Sequence, residues 1–166
     1  MLKYLKFIVV LIAMLATTPS FSQPAEYADM ETEVLRYVNE YRAGKGLGPL
    51  AMNDTINRAA MEHCKYLGNK AHRLNHDGFE ERMHGLMSVI KPCYSAAENV
   101  ARGQKDAKEV VNNWISSPGH RENIEGDFNL SGIAIYKDRE GMLYFTQIFL
   151  KRKPAAPKVV KRNTQG

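Results

Sequence analysis

The chain has 166 residues and a formal net charge of +5, but its two ends carry this charge. Residues 23–150 hold 15 Lys and Arg against 18 Asp and Glu, a net charge of −3, whereas residues 151–166 hold six basic residues and no acid. A nucleic-acid-binding domain needs basic residues interleaved with aromatic ones on a folded face, so this body excludes that class, and the length suits one domain with a single core.

Residues 1–22 have the pattern of an export signal. Two lysines precede an apolar core from Phe7 to Ala16, which is too short to span a bilayer. Ser20-Phe21-Ser22 places small residues at the positions that determine cleavage, so the mature chain is predicted to begin at Gln23. No cysteine lies near this junction to carry a lipid. We therefore expect a secreted or periplasmic protein without a membrane span. An uncleaved N-terminal anchor is the alternative.

The middle of the chain shows helical periodicity. Apolar residues recur at three- and four-residue spacing, and turn-forming or capping residues bound each run. The predicted helices are one from an Asp29 cap to about Ala43, one from an Asn53 or Asp54 cap to Gly68, and a short one after Gly78.

A fourth helix is predicted to begin at Asp106, whose carboxylate suits an N-cap. Its apolar residues, up to Trp114 and Ile115, share one face that should be buried, with Trp114 as a core anchor. Pro118-Gly119 should end this helix, since proline disfavours helical backbone at the preceding residue and glycine tolerates positive φ. His120 would then lie at a helix-to-turn corner, where its ring can face a cleft.

Two segments near the C-terminus, residues 131–137 and 142–150, are rich in aromatic and β-branched residues. The turn sequence between them predicts a β-hairpin, and helices before a hairpin indicate an α+β domain, assigned to residues 23–150. Residues 151–166 are basic and poor in large apolar side chains, so this tail is predicted to be disordered. Coulomb attraction of the tail to anionic polymers is the alternative to a merely solvated tail.

Cys64 and Cys93 are the only cysteines. Two thiols in an exported chain usually pair, so a disulfide is predicted, and the loop-entropy model gives it roughly 3 to 4 kcal/mol. Two separate thiols, with Cys64 buried as a small apolar residue, are the alternative.

Six short motifs occur in the order found in a known family. They are Asn39-Glu40-Tyr41-Arg42, the Gly46–Leu50 turn, His76-Asp77-Gly78, Glu98-Asn99, the run from Trp114 to Ile124, and Tyr144–Phe149. Together they resemble the CAP superfamily, which groups cysteine-rich secretory proteins, insect venom antigens and plant pathogenesis-related proteins, and its compact bacterial members most of all. The resemblance implies a three-layer α-β-α sandwich with a C-terminal β-hairpin and a cleft on one side.

The resemblance also implies a site. It puts His76, Glu98 and His120 at cleft positions where family members bring together two histidines and two glutamates, which in some members hold a divalent cation. Two imidazoles and a carboxylate suit Zn²⁺ or a similar ion. The family's second glutamate is Ser117 here, so metal binding is expected to be weak. From the residues alone, each of the three is as readily structural.

Two functions follow from this resemblance. The first is a secreted, monomeric binding module whose cleft holds a small polar, glycan or lipid ligand. The second is a metal-assisted hydrolase, an esterase or protease, with Glu98 as general base; His120 would assist, and Ser117-His120 is a possible nucleophilic pair. Binding is preferred.

The predicted cleft residues are His76, Glu98, His120, Arg121 and Gln147. His63, His72 and His84 are assigned to boundary or surface positions, with His84 as an outside member of the cleft.

Overall fold

The computed structural model describes residues 25–69 and 74–153. Its helices are α1 (Ala28–Gly44), α2 (Asp54–Asn69), α3 (Phe79–Val89), α4 (Ala107–Ser116) and α5 (Pro118–Glu125), and its strands are β1 (Ala51–Met52), β2 (Cys93–Arg102), β3 (Leu130–Lys137) and β4 (Leu143–Arg152). The predicted signal peptide, His72 and residues 154–166 lie outside the described residues. The domain was assigned to end at residue 150, but β4 continues to Arg152.

The four strands form one mixed sheet in the order β1-β3-β4-β2. The predicted hairpin is β3 and β4, which pair antiparallel from Leu130↔Leu150 to Lys137↔Leu143. On the far side of β4, β2 pairs antiparallel with the register Glu98↔Ile148 and Asn99↔Gln147. Strand β2 is therefore an edge strand, and alternate residues along it point to opposite faces of the sheet.

Helices cover both faces of this sheet. On one face α1, α4 and α5 pack on a core that includes Trp114, Phe145 and Phe149. On the other face α2 and α3 pack on a second core that includes Ile56 and Ile148. The predicted α+β fold, with three layers and a C-terminal hairpin, is confirmed. Trp114 is 1% exposed and its indole N–H faces the carbonyl of Val100, as a core anchor should be.

The Asn39–Arg42 motif of α1 has a structural use. Asn39 exchanges two hydrogen bonds with the backbone of Leu50, which fixes the turn after α1. The guanidinium of Arg42 is buried and donates to four backbone carbonyls; its acceptors are the carbonyls of Gly48, Ile124, Gly126 and Phe128. One of these carbonyls lies in the turn after α1 and the other three lie at the end of α5 or in the loop that follows it, so Arg42 joins the end of α1 to the end of α5. Gly46 has φ 73°, which explains a glycine at the end of α1.

Two local expectations were wrong. No strand was predicted around Glu98-Asn99, but both residues lie inside the ten-residue strand β2. Pro118-Gly119 does end α4, yet Pro118 also begins α5, where proline needs no backbone N–H and its fixed φ suits a first helical turn. His120 therefore lies in the first turn of a helix. The predicted Asp106 cap is confirmed, because its carboxylate accepts from the backbone N–H of Glu109 at 2.8 Å.

The predicted disulfide is wrong. Both thiols are free: Cys64 is buried on α2 and its Sγ lies 3.0 Å from the carbonyl of Tyr144, whereas Cys93 pairs through its backbone with Arg152. Tyr144 and Arg152 are eight residues apart on β4, or roughly 26 Å along the strand. A disulfide needs Cα atoms within about 7 Å, so this fold keeps the two cysteines apart. Burial raises the pKa of Cys64 to about 12, which makes it an inert core residue.

Candidate functional site

The site is built around the carboxylate of Glu98. In β2, Val100 and Glu98 share the sheet face that packs against α2 and α3, so the side chain of Glu98 is directed into that helical layer. Only 4% of Glu98 is exposed. A buried carboxylate is costly unless charged and polar partners surround it. The neighbouring helices supply those partners.

Arg82 on α3 is the charged partner of Glu98. Its Nε donates to Oε2 at 2.9 Å and its Nη2 donates to Oε1 at 2.8 Å, the two-pronged geometry in which a guanidinium and a carboxylate bind most strongly. Gly78, with φ 71°, caps α3, and Arg82 lies one helical turn later. Nη1 of Arg82 also donates to the carbonyl of Asp77 at 3.2 Å, which ties the guanidinium to the loop before the helix.

Two histidines complete the surroundings of Glu98. Nδ1 of His76 lies 3.0 Å from Oε1, although the side chain of His76 is 51% exposed. Nε2 of His63, on α2, lies 3.4 Å from the same oxygen and 3.1 Å from the carbonyl of Asn75. Because both neighbours of that nitrogen are acceptors, Nε2 of His63 carries the proton. Glu98 thus has donors on both oxygens.

His63 is neutral at neutral pH, despite its proximity to Glu98. Burial is the main influence and lowers the pKa of His63, and this effect outweighs the opposing attraction of the Glu98 carboxylate. The contact between His63 and Glu98 is therefore one between a neutral imidazole and a carboxylate, not an ion pair. Arg82 supplies a compensating positive charge.

His120 approaches the site from α5. Burial lowers the pKa of His120, and repulsion from His76 lowers it further. The backbone of α5 is held against β2 by amides: Asn99 donates to the carbonyl of His120 at 3.1 Å, and Asn123 donates to Asn99 at 2.8 Å and to the carbonyl of Glu98 at 3.2 Å. Within the described residues, no side-chain hydrogen bond joins His120 to Glu98. The two asparagines orient this segment, as asparagine amides do at backbone turns.

Arg121 and Gln147 were also predicted to line the cleft. Gln147 is fully buried and lies opposite Asn99 in the sheet, so it faces the layer of α1, α4 and α5, where its amide donates to Ser131 at 3.1 Å. Arg121 donates to the carbonyl of Ile115 at 2.9 Å and so caps the end of α4. Gln147 was misplaced because the sequence does not show which face of β4 it occupies.

Two residues of the site were missed, namely His63 and Arg82. His63 was assigned to a boundary position, yet 3% of it is exposed and it contacts Glu98. Arg82 was not considered, although it follows Gly78 by one helical turn, the spacing that returns a side chain to the loop before the helix. That spacing is the only signal in the sequence that could have identified it. His84 lies exposed on α3, outside the contacts of Glu98.

The residues, as arranged, do not fit a metal ion. Both oxygens of Glu98 are occupied by Arg82, and His76 directs Nδ1 at the same carboxylate. Among the described residues, no three His, Cys, Asp or Glu side chains form a group that could hold a metal. A guanidinium occupies the place where a cation would meet the carboxylate. We therefore derive no chemistry from a bound ion.

The fold and site define a class of α-β-α domain with a buried carboxylate flanked by histidines. The family model described as "Cysteine-rich secretory protein family", or CAP, matches residues 35–149. The chain belongs to this family. Its two cysteines, both free, show that the fold here is held by its two cores and the Arg42 contacts.

Three relatives place it among bacterial members. An uncharacterised protein of Bacillus subtilis, YkwD, is 30% identical over 139 residues, which are 81% of this chain and 52% of that protein, so the chain spans about half the length of this relative. An outer surface protein of Borrelia burgdorferi has a TM-score of 0.68 and 25% identity, over 77% of this chain and 96% of that one. An extracellular SCP-domain protein of Bacillus anthracis has a TM-score of 0.65 and 21% identity, over 75% and 41% of the two chains.

Proposed function

We propose that the chain is an exported binding domain whose site at His76, Glu98 and His120 holds a small polar or glycan ligand. The observation that carries this proposal is that His76 is both hydrogen-bonded to Glu98 and exposed. Its Nδ1 is fixed on the buried carboxylate of Glu98, while half of the side chain is exposed. A neutral His76 that donates through Nδ1 keeps Nε2 as an acceptor for a ligand hydroxyl or amide.

The surroundings of His76 favour a polar ligand over a lipid. Asp77 is exposed beside it, and His120 contributes a second imidazole that is half-buried and mainly neutral because its pKa is lowered. Hydroxyl-rich ligands offer several donors and acceptors to such a surface. The Arg82–Glu98 pair beneath it keeps His76 in one orientation, which reduces the entropy lost on binding.

Export is supported by two of the structural relatives. The Bacillus anthracis structure is described as that of an extracellular protein, and the Borrelia protein as an outer surface protein. No described helix is long and apolar enough to cross a membrane. The predicted export signal at residues 1–22 agrees with this proposal.

The hydrolase alternative has less support. A general base must accept a proton from water or substrate, but Glu98 is 4% exposed and each of its oxygens already accepts from Arg82. Ser117 and His120 lie three residues apart on the first turn of α5, and no hydrogen bond joins them among the described residues. Neither arrangement presents an activated nucleophile.

Calorimetry with two glycan probes tests the binding proposal. The probes are chitotetraose and the soluble fragments from a lysozyme digest of bacterial cell wall. We expect binding of at least one probe, weakened roughly three- to tenfold by His76→Ala, the effect of losing one hydrogen bond. His84→Ala, an exposed histidine of α3 outside the site, is the control and should bind like the wild type. Binding of neither probe, or binding that His76→Ala and His120→Ala leave unchanged, would refute the proposal.

A further inference from the structure

A groove runs between α2 and α3, and its lining includes His63 and Arg82, the partners of Glu98. It has a volume of about 660 Å³, and its apolar lining includes Ala59, Leu86 and Val89. Val89 is 67% exposed at one end of the groove. At the other end the hydroxyl of Tyr66 donates to Asp77 at 3.1 Å, which joins α2 to the loop before α3. From Gly78 to Val89 the groove is roughly 16 Å long.

The rim of this groove is acidic. Glu62, Asp77 and Glu81 lie along it, all exposed, and none of these three carboxylates has a salt-bridge partner in the described part of the chain. Arg58 is the opposing cation, since the charge of Arg82 is already balanced by Glu98. An apolar floor with exposed carboxylates along its rim suits an extended segment that carries both apolar and basic side chains.

Residues 154–162 of the same chain have this composition. Val159-Val160 is flanked by Lys158, Lys161 and Arg162, and the segment contains no acid. The last described residue, Lys153, donates its backbone N–H to the carbonyl of Pro92 at 3.1 Å. Pro92 lies three residues after Val89, so the segment starts beside one end of the groove.

The segment after Lys153 is long enough to reach the apolar lining of the groove. Val159 is six positions after Lys153, and an extended chain covers up to roughly 20 Å over six positions. Val159-Val160 can therefore reach the apolar floor, which places Lys161 and Arg162 toward the acids at the far end. Because the segment is tethered next to the groove, it has a high effective concentration there, so weak contacts suffice to hold it.

We propose that the basic segment 154–162 docks into the groove between α2 and α3 of its own chain. Val159-Val160 contacts Ala59, Leu86 and Val89, and the lysines and Arg162 face Glu62, Glu81 and Asp77. Docking covers the outer face of the helices that carry His63 and Arg82. The proposal does not depend on a ligand at His76.

Zero-length carbodiimide cross-linking of the full chain tests the placement. We expect monomeric product in which Lys158 or Lys161 is joined to Glu62, Glu81 or Asp77, identified by peptide mass spectrometry. Links confined to dimeric product would assign the groove to the segment of a second copy and overturn the proposal. Links spread evenly over surface acids such as Glu122 and Glu140 would overturn it as well.

Limited trypsin digestion measures the docked population. Cleavage after Lys161 should become roughly two- to tenfold faster in the double variant Glu62→Gln/Glu81→Gln, because a docked site is cleaved only when it opens. Val159→Ser/Val160→Ser should have the same effect. The control Glu122→Gln/Glu140→Gln removes two exposed acids outside the groove and should leave the rate unchanged. Equal rates in all four proteins would refute docking.

Discussion

At the scale of single residues, the Arg82–Glu98 pair determines the character of the site. Removing only Arg82 leaves a buried carboxylate without its counter-charge. We expect Arg82→Met to lower the free energy of unfolding by about 3 to 5 kcal/mol, measured by urea denaturation. Arg82→Met/Glu98→Gln, which removes both charges, should be clearly more stable than Arg82→Met alone. The control Arg58→Met, at an exposed arginine of α2, should change stability by less than about 0.5 kcal/mol.

A double variant as unstable as Arg82→Met would show that the pair does not hold the buried charge as described. The comparison separates charge compensation from packing, because Met keeps most of the apolar stem of Arg82. Glu98→Gln keeps the shape of the carboxyl group and an acceptor for Nδ1 of His76.

The buried imidazole of His63 gives the second residue-scale prediction. Its pKa in the folded state is lowered by burial, so the unfolded state binds the proton more readily. Its contribution to stability is present above the unfolded pKa, near 6.5, and is lost as the pH falls through the folded pKa. Stability measured from pH 8 to 5 should therefore fall less steeply in His63→Gln than in the wild type.

The difference between the two proteins is the quantity to compare, because other groups also titrate in this range. His120 has a lowered pKa and acts in the same direction. Glu31, whose pKa burial raises to about 7, acts in the opposite direction: the folded state binds its proton more readily, so stability rises as the pH falls from 7. Parallel pH profiles for wild type and His63→Gln would contradict the assignment of His63 as a buried neutral imidazole.

At the scale of elements, the contact between α2 and β3 leaves no room for a side chain at Gly132. A Cβ there would lie 2.3 Å from the backbone carbon of Ile56 and 2.5 Å from the backbone nitrogen of Asn57. We expect Gly132→Ala to destabilise the fold by about 2 to 3 kcal/mol, seen as a lower urea midpoint. Gly85→Ala, in the exposed middle of α3 with open space around it, should be neutral or stabilise by up to about 1 kcal/mol. Equal effects at both glycines would contradict the close packing.

Local signals predicted the elements well where capping residues and periodicity agreed. The Asp106 cap, the helix after Gly78 and the β3–β4 hairpin all lie where the sequence placed them. Strand β2 was missed because Cys93–Arg102 is an edge strand whose burial changes along its length, so it lacks a clear two-residue alternation. Helix α5 was missed because proline both ends one helix and begins the next.

At the scale of the whole molecule, the family resemblance predicted the layers, and it placed His76 and Glu98 in one site. It could not predict their partners, because Arg82 and His63 belong to different helices and the sequence does not show which faces of those helices meet. Gln147 was misplaced for a similar reason. Successive residues of a strand point to opposite faces of the sheet, so an error of one position puts a side chain on the wrong face. The disulfide prediction was wrong because it was based only on the oxidising conditions that an exported chain meets. Those conditions say nothing about the distance between Cys64 and Cys93.

The central claim is that an internal guanidinium balances the buried carboxylate and leaves His76 free for a ligand, without a metal. Titration of the chelator-treated full chain with Zn²⁺ at pH 7.5, followed by the imidazole ¹⁵N resonances of His63, His76 and His120, tests it most directly. We predict that one equivalent of Zn²⁺ leaves all three sets of resonances unchanged, with His63 protonated on Nε2 and His76 on Nδ1. Stoichiometric shifts at His76 and His120 that disappear in Glu98→Gln would contradict the claim and assign the site to a metal.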